Sequence, residues 1–589
     1  MNFRDFRGKN NNTFPGKNHM EIGDILVQKG LIDGLTLSDL QQPNISGLRP
    51  DQLAVERGIV PEEKVLLALG EEFGIDYVDL AKIEINPEIL KKFPTRFIHR
   101  ERIFPIEYHN GSITIAVSDP LNLYPLDEIA SITQRQITPV LALKGEIDKL
   151  IKRHLGLGSE TIEGLVAQKE VEAKEHEIEL MGELETDGSE LSEMAREPSV
   201  IRLVNEIFLE AIESRTSDIH IESEANGLTI RYRIDGVLHL QPFPPEIHRF
   251  SAAIISRLKI MAKLNIAERR LPQDGRIQLK YKGREIDVRV SVIPMIHGEG
   301  IVMRLLDKEA MEFSLQGLGM NPRIYSTFSD LIRLPHGIIL VTGPTGSGKT
   351  TTLYSALTEI KDASTKIITT EDPVEYRLEG ISQIQVHTKI GLTFAASLRS
   401  ILRHDPDICL VGEIRDLETA ENAVQAALTG HLVFSTLHTN DAAGAYTRLI
   451  DMGVEPFLVS SCVEAVMAQR LVRRLCPHCK EEYIPVPDEL PEDFPFEVLA
   501  ERGGRLFRPT GCRECRYVGY RGRNGIYELM VTTPQVRQLA GENATSWQIK
   551  KAAKVEGMLT LRDDGWLNVL SGNTSVDEIV RVSKRDLVD

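Results

Sequence analysis

Gly337-Ile338-Ile339-Leu340-Val341-Thr342-Gly343-Pro344-Thr345-Gly346-Ser347-Gly348-Lys349-Thr350 is the stretch that decides the fold. The apolar run from Ile338 to Val341 is short and β-branched, as a buried strand is, and it feeds a glycine-rich turn ending in Lys-Thr. Strand, phosphate loop and helix in that order make a P-loop. Its glycines let successive backbone N–H groups converge on phosphate oxygens, Lys349 reaches the β- and γ-phosphates, and the Thr350 hydroxyl takes a place on Mg2+. Gly343, Pro344, Thr345, Gly346, Ser347, Gly348, Lys349, Thr350 and Thr351 are therefore the expected nucleotide-binding segment.

Downstream of the loop, Ile367 to Thr370 and Ile408 to Val411 are further buried strands that each end at acidic residues, with helical segments between them. Such βα alternation predicts a RecA-like parallel sheet with the nucleotide at the carboxyl ends of its strands. Hydrolysis needs a metal anchor and a group that orients water. Ile408-Cys409-Leu410-Val411-Gly412-Glu413 reads as a Walker B strand, with Glu413 reaching Mg2+ through water. The cluster Glu371-Asp372-Pro373-Val374-Glu375 offers two carboxylates, Glu371 and Glu375, for the water, and chemistry alone does not choose between them. His431 and His438 bracket one predicted strand, and at least one of them is a candidate γ-phosphate sensor.

The chain of 589 residues is long enough for several domains, and its net charge of −17 argues against general nucleic-acid binding. No apolar run is long enough to span a bilayer and the polar start lacks a signal-peptide core, so a cytoplasmic protein is expected, touching membrane only through partners. Of six cysteines, Cys409 and Cys462 stand alone in apolar surroundings, while Cys476-Pro477-His478-Cys479 and Cys512-Arg513-Glu514-Cys515 form two pairs. Each x-x spacing lets two thiolates clasp one ion from a tight turn, and two such turns close a tetrahedron, so structural zinc is expected over a redox pair.

Upstream, a polar leader occupies residues 1–19, and residues 20–155 read as a first α/β domain. It opens with a helical repeat, Glu21 to Gln42 and Arg49 to Phe73, and continues with strands at Asp76–Leu80, Arg102–Ile106 and Ser112–Val117. Residues 156–197 are rich in carboxylates and free of aromatics, which predicts a solvated linker. Order resumes with an amphipathic helix from Pro198, strands at Leu228–Ile234, Arg276–Lys280 and Ile286–Val292, and a helix from Ser251 to Leu264, an α+β domain over 198–308. Residues 309–589 hold the P-loop unit, the tetracysteine module at about 474–518, and C-terminal helices.

Taken together, the P-loop, the acidic box, the Walker B strand and the Gly430 to His438 box resemble the secretion ATPase superfamily, within it the type IV pilus assembly and type II secretion ATPases. Arg231 to Gly236, Leu271 to Arg276, Asp287 to Ser291 and Val302 to Leu306 carry the resemblance upstream of the loop. It implies an α/β multidomain chain with a PAS-like domain before the RecA-like core, and a hexameric ATPase that uses ATP and Mg2+ against an inner-membrane platform protein. It also implies arginines given to the nucleotide by the upstream domain, here Arg276, Arg289 and Arg304, with Glu375 at the water and Glu413 at the metal. The zinc module points to assembly over retraction.

The N-terminal repeat resembles an MshE-type module, in which two Arg-Leu-Gly helix starts wrap cyclic di-GMP. Glu21-Ile22-Gly23 has lost the arginine and Arg49-Pro50-Asp51 the glycine. An acid in place of a phosphate ligand is repulsive, so the module is expected to serve docking more than dinucleotide binding.

Overall fold

The computed structural model describes residues 22–41, 48–83, 85, 88–91, 93, 95–109, 111–122, 124–156, 178–180, 193–307 and 313–585. The polar leader, Glu21 of the first helix-start motif and most of the acidic segment lie outside the described residues.

The helical repeat is present as Ile22–Gln28 with Gly34–Leu40, and Pro50–Glu56 with Glu62–Phe73. Ile25, Leu26, Leu40, Leu53, Val65 and Leu69 close it into its own small core. A three-stranded sheet follows, with Ser112–Val117 in the centre, antiparallel to Phe104–His109 and parallel to Gln136–Leu141. The expected strand at Asp76–Leu80 does not form: only Tyr77 bridges to Leu141, and Leu80–Lys82 turns into a 3-10 helix capped by the Asp79 carboxylate. An aspartate that accepts the Ala81 N–H competes with strand pairing there.

The middle of the chain is an antiparallel seven-stranded sheet in the order Ile178–Leu180, Gln273–Tyr281, Arg284–Met295, Gly298–Asp307, Thr216–Glu224, Gly227–Ile234 and Val237–Leu240. Helices Pro198–Glu213 and Ser251–Met261 supply Leu203, Ile207, Phe208, Ile254 and Leu258 to the apolar core shared with the sheet. Ile178–Leu180 corrects the linker reading at one point: within the acidic segment, Ile178, Glu179 and Leu180 pair antiparallel with Tyr281, Lys280 and Leu279 as an edge strand.

The P-loop strand, Gly337–Thr342, is buried along its whole length. It lies near the centre of a seven-stranded sheet in the order Ser382–Gln385, Ile367–Glu371, Ile408–Val411, Leu432–Leu437, Gly337–Thr342, Val463–Leu475 and Tyr520–Val531. All but the last strand run parallel, and Tyr520–Val531 closes the edge antiparallel to Val463–Leu475. Parallel strands of this kind are covered by helices on both faces, which explains why Ile338–Val341 is apolar at every position. Two apolar clusters, one around Leu340, Val433 and Val466 and the other around Ile339, Val341 and Phe434, form those faces.

Candidate nucleotide site and metal centre

The sheet brings the P-loop to the carboxyl edge because Gly337 stands opposite Leu432 and Thr342 opposite Leu437, in parallel register. Gly343, Gly346 and Gly348 have φ values of +147°, +80° and +91°, which side-chain-bearing residues seldom adopt. At Gly343 a Cβ would lie 2.7 Å from both the Gln469 carbonyl oxygen and the Ser347 Oγ. Pro344, Thr345 and Gly346 face solvent, whereas Ser347 is buried and its hydroxyl makes no hydrogen bond among the described residues. Helix Lys349–Ile360 starts directly behind the loop, so its unpaired first N–H groups point into the concavity. Lys349 Nζ donates to the carbonyls of Gly343 at 2.8 Å and Pro344 at 3.2 Å. Burial pulls its pKa down, the Glu413 carboxylate opposes that, and Arg470 adds to it. Thr350 is exposed at the rim and Thr351 is half-buried behind it. An amide-lined loop with an orphaned hydroxyl and one ammonium fits a polyphosphate.

Gln469, which sequence reasoning passed over, braces this loop. It is buried in strand Val463–Leu475, donates to the Ser347 carbonyl at 2.7 Å and accepts from the Thr352 hydroxyl at 2.9 Å. Next to it, Arg470 donates to the Asn440 carbonyl at 2.9 Å, tying the loop to the turn after Leu432–Leu437. The available signal was a polar Gln-Arg pair inside an apolar run. Gln469→Ala leaves two polar groups unpaired in a buried place, at a cost of about 1–3 kcal/mol. Calorimetry is expected to show a lower unfolding midpoint and ATP binding weaker by about tenfold.

The five expected acidic and imidazole positions separate clearly. Glu371 is buried and accepts from the Tyr354 hydroxyl, the Thr369 hydroxyl at 2.5 Å and the Gln383 amide at 3.1 Å. Its oxygens are consumed by the interior, which corrects its candidacy for orienting water. Glu375 is part-exposed, and both its oxygens face one guanidinium: Arg289 Nη1 donates to Oε1 at 3.2 Å and Nη2 lies 2.7 Å from Oε2. Glu413 lies two residues beyond the strand Ile408–Val411, pairs with Arg415, and lies 3.0 Å from His438 Nε2. Its burial raises the carboxyl pKa, but hydrogen bonds from Arg415 and His438 outweigh that and hold it below the ordinary value. His431 is a second correction. It precedes the amino end of Leu432–Leu437, six residues and about 20 Å from the loop end of the sheet, and its Nδ1 sits 2.9 Å from the Ala426 carbonyl.

The three expected arginines form one cross-strand row. Arg276 stands opposite Arg289, Arg289 opposite Arg304, and Arg304 opposite Asp218, which in turn faces Arg233. In-register antiparallel neighbours put their side chains on one sheet face, so like charges crowd there and need counter-ions. Arg276 pairs with Asp287, and Arg304 Nε lies 3.0 Å from Asp218. Of the three, Arg289 alone is drawn to the P-loop unit, through Glu375.

Cys476, Cys479, Cys512 and Cys515 converge, with all four sulfurs within 4.8 Å of one another. Cys476–Cys512 and Cys479–Cys515 are 3.7 Å apart and Cys512–Cys515 3.8 Å. A tetrahedron of Zn–S bonds of about 2.3 Å has edges of about 3.8 Å, which these three separations match, so the donor set fits zinc. Burial pushes the Cys476 thiol up to about 12 and raises Cys479. At Cys515 burial acts the same way, but N–H groups of Cys512 and Gly519 aimed at its sulfur bring it below the usual thiol value.

At the N-terminal module, the Arg49 guanidinium is bound by Asp51 at 2.9 Å and Asp119 at 2.8 Å. The second helix start therefore spends its arginine on joining the helical repeat to the three-stranded sheet.

Comparison with known proteins agrees with this arrangement. The MshEN domain family matches residues 73–161, which covers the sheet and leaves out the two helical copies. Type IV pilus assembly ATPase PilB of Myxococcus xanthus is 40% identical over 95% of this chain and 98% of its own length. Type II secretion system protein E of Xanthomonas campestris is 44% identical over 90% of this chain and 92% of that protein. Type II secretion system ATPase E of Vibrio cholerae is 50% identical over 67% of this chain and 77% of that protein. The family described as Type II/IV secretion system protein matches residues 193–581, spanning the arginine-bearing sheet, the P-loop and the cysteines, and this chain belongs to it.

Proposed function

We propose that this chain is an ATP-hydrolysing motor that drives assembly of a type IV pilus or a type II secretion pseudopilus. The observation that carries the reading is the Arg289–Glu375 pair, which joins the upstream sheet to the acidic box beside a complete P-loop. In this reading Lys349 and the loop amides of Gly343 to Thr350 bind the phosphates of ATP. Thr350 and Glu413 would hold Mg2+, which would supply charge neutralisation at the β- and γ-phosphates. Glu375 accepts a hydrogen bond from the attacking water and takes its proton as the water oxygen bonds to the γ-phosphorus and the bond to the bridging oxygen breaks. His438, hydrogen-bonded to Glu413, reports whether the γ-phosphate is present. Cys476, Cys479, Cys512 and Cys515 hold structural zinc.

Arg289 cannot stay paired with Glu375 and bind the γ-phosphate at once. Arrival of ATP draws the guanidinium fork to the more highly charged phosphate, frees Glu375 for water, and pulls the upstream sheet toward the nucleotide. Release of phosphate returns Arg289 to Glu375. Repeated around a homo-hexamer, this closing and opening would turn an inner-membrane platform protein. Among the described residues no helix is long and apolar enough to cross a membrane. The blocked Arg49 supports docking over cyclic di-GMP binding at the N-terminal module. Lys349→Ala in the native host tests the pathway: loss of pili with secretion intact assigns the pilus, the reverse assigns secretion, and loss of neither refutes both.

A further inference from the structure

The turn that carries Cys512 and Cys515 lies where three parts of the chain meet. Arg513, inside the short helix Arg513–Cys515, reaches the N-terminal unit: its Nη2 is 3.0 Å from Asp79 Oδ1 and it pairs with Glu146. Glu146 is 4% exposed and opens helix Lys144–Leu155, and its other oxygen accepts the Leu80 N–H at 3.3 Å. Arg516, just after the turn, donates to Glu210 at 2.7 Å and to the Ser214 hydroxyl, at the end of helix Pro198–Glu213. Glu210 also holds Lys152 of the N-terminal unit at 2.5 Å. Two arginines on one metal turn thus engage both upstream units, and the upstream units are joined to each other through the same glutamate.

The cysteine sulfurs take part in the turn: Cys515 Sγ accepts from the N–H groups of Cys512 at 3.1 Å and Gly519 at 3.2 Å. Arg516 and Tyr517 are successive residues in the left-handed region, at φ +53° and +63°, which neither residue type favours. Ligation would fix Cys512 and Cys515 on one ion, and with them the directions in which Arg513 and Arg516 leave the turn. Surface ion pairs alone would be weak, but Glu146 is buried, so removing its cation leaves an unpaired carboxylate in the interior.

We propose that the tetracysteine centre has a second function as a docking latch: the metal-loaded turn presents Arg513 and Arg516 to Asp79, Glu146 and Glu210 and fastens the N-terminal unit to the motor. The metal part of this inference rests on the zinc reading above, and the ion-pair part does not.

The test is hydrogen–deuterium exchange on the full-length zinc-loaded protein, following backbone amides of residues 76–83 and 144–152. Arg513→Glu with Arg516→Glu is expected to speed their exchange about tenfold while zinc content and ATP turnover stay at wild-type values. Chelation of zinc from the wild-type chain is expected to do the same. Unchanged exchange in the zinc-retaining double variant overturns the latch. If the wild-type chain neither carries nor takes up zinc, the metal half is overturned, and the double variant still decides the ion-pair half.

Discussion

Glu375→Gln is expected to yield a protein that binds ATP and scarcely turns it over. The amide keeps the size and one hydrogen-bond acceptor of the carboxylate but has no site to take the proton of the attacking water, a loss of about 10²–10⁴ in kcat. ATP affinity should stay at the wild-type value or rise, because glutamine releases the Arg289 guanidinium from its ion pair and leaves it free for phosphate. Glu371→Gln provides the contrast. Glu371 is locked to Tyr354, Thr369 and Gln383 inside the sheet, so its replacement should lower the unfolding midpoint more than the chemical step. Phosphate release under saturating ATP, beside a calorimetric melt of each variant, separates the two. A Glu371 variant that folds normally and is inactive, paired with an active Glu375 variant, would reverse the assignment.

Arg289→Ala is expected to reduce kcat about 10²–10³-fold, the loss typical of removing one donor that stabilises transferring phosphate. Arg276→Ala and Arg304→Ala should each cost less, because those guanidiniums are held by Asp287 and Asp218 on their own sheet. Arg289→Lys should restore little, since an ammonium lacks the planar fork that presents two parallel N–H bonds to a phosphate. Kinetics at varied ATP distinguish a positioning effect from simple weak binding: the account expects the fall mainly in kcat. Equal losses at all three arginines would mean that the row acts as a charged surface and that the Glu375 pair is incidental.

Much of the catalytic sheet was legible because its strands are buried on both faces and read as continuous apolar runs, as at Ile338–Val341 and Ile408–Val411. The P-loop and the two Cys-x-x-Cys turns were legible because their chemistry dictates spacing. Strand Val463–Leu475 was not: Val-Glu-Ala-Val-Met-Ala-Gln-Arg-Leu contains mostly residues that favour helices, and only pairing with Gly337–Thr342 and Tyr520–Val531 makes it a strand. With it went Gln469 and Arg470, whose roles exist only once that strand lies beside the loop. His431 and His438 looked equivalent in the sequence, yet a parallel strand has one end at the P-loop and one away from it, and register puts His438 at the first and His431 at the second. Glu371 and Glu375 were likewise separated only by what surrounds each. Arg513 and Arg516 gave no sign in the sequence beyond their nearness to cysteine, because their partners Asp79, Glu146 and Glu210 are hundreds of residues away along the chain.

ATP is expected to be hydrolysed at the P-loop of this chain. Phosphate release by the purified full-length protein, with ATP and Mg2+ and in parallel for Lys349→Ala, measures it most directly. The account predicts Mg2+-dependent release from the wild-type chain that falls by about 10²-fold or more in the variant. No release from the wild-type protein, or equal release from both, would contradict it.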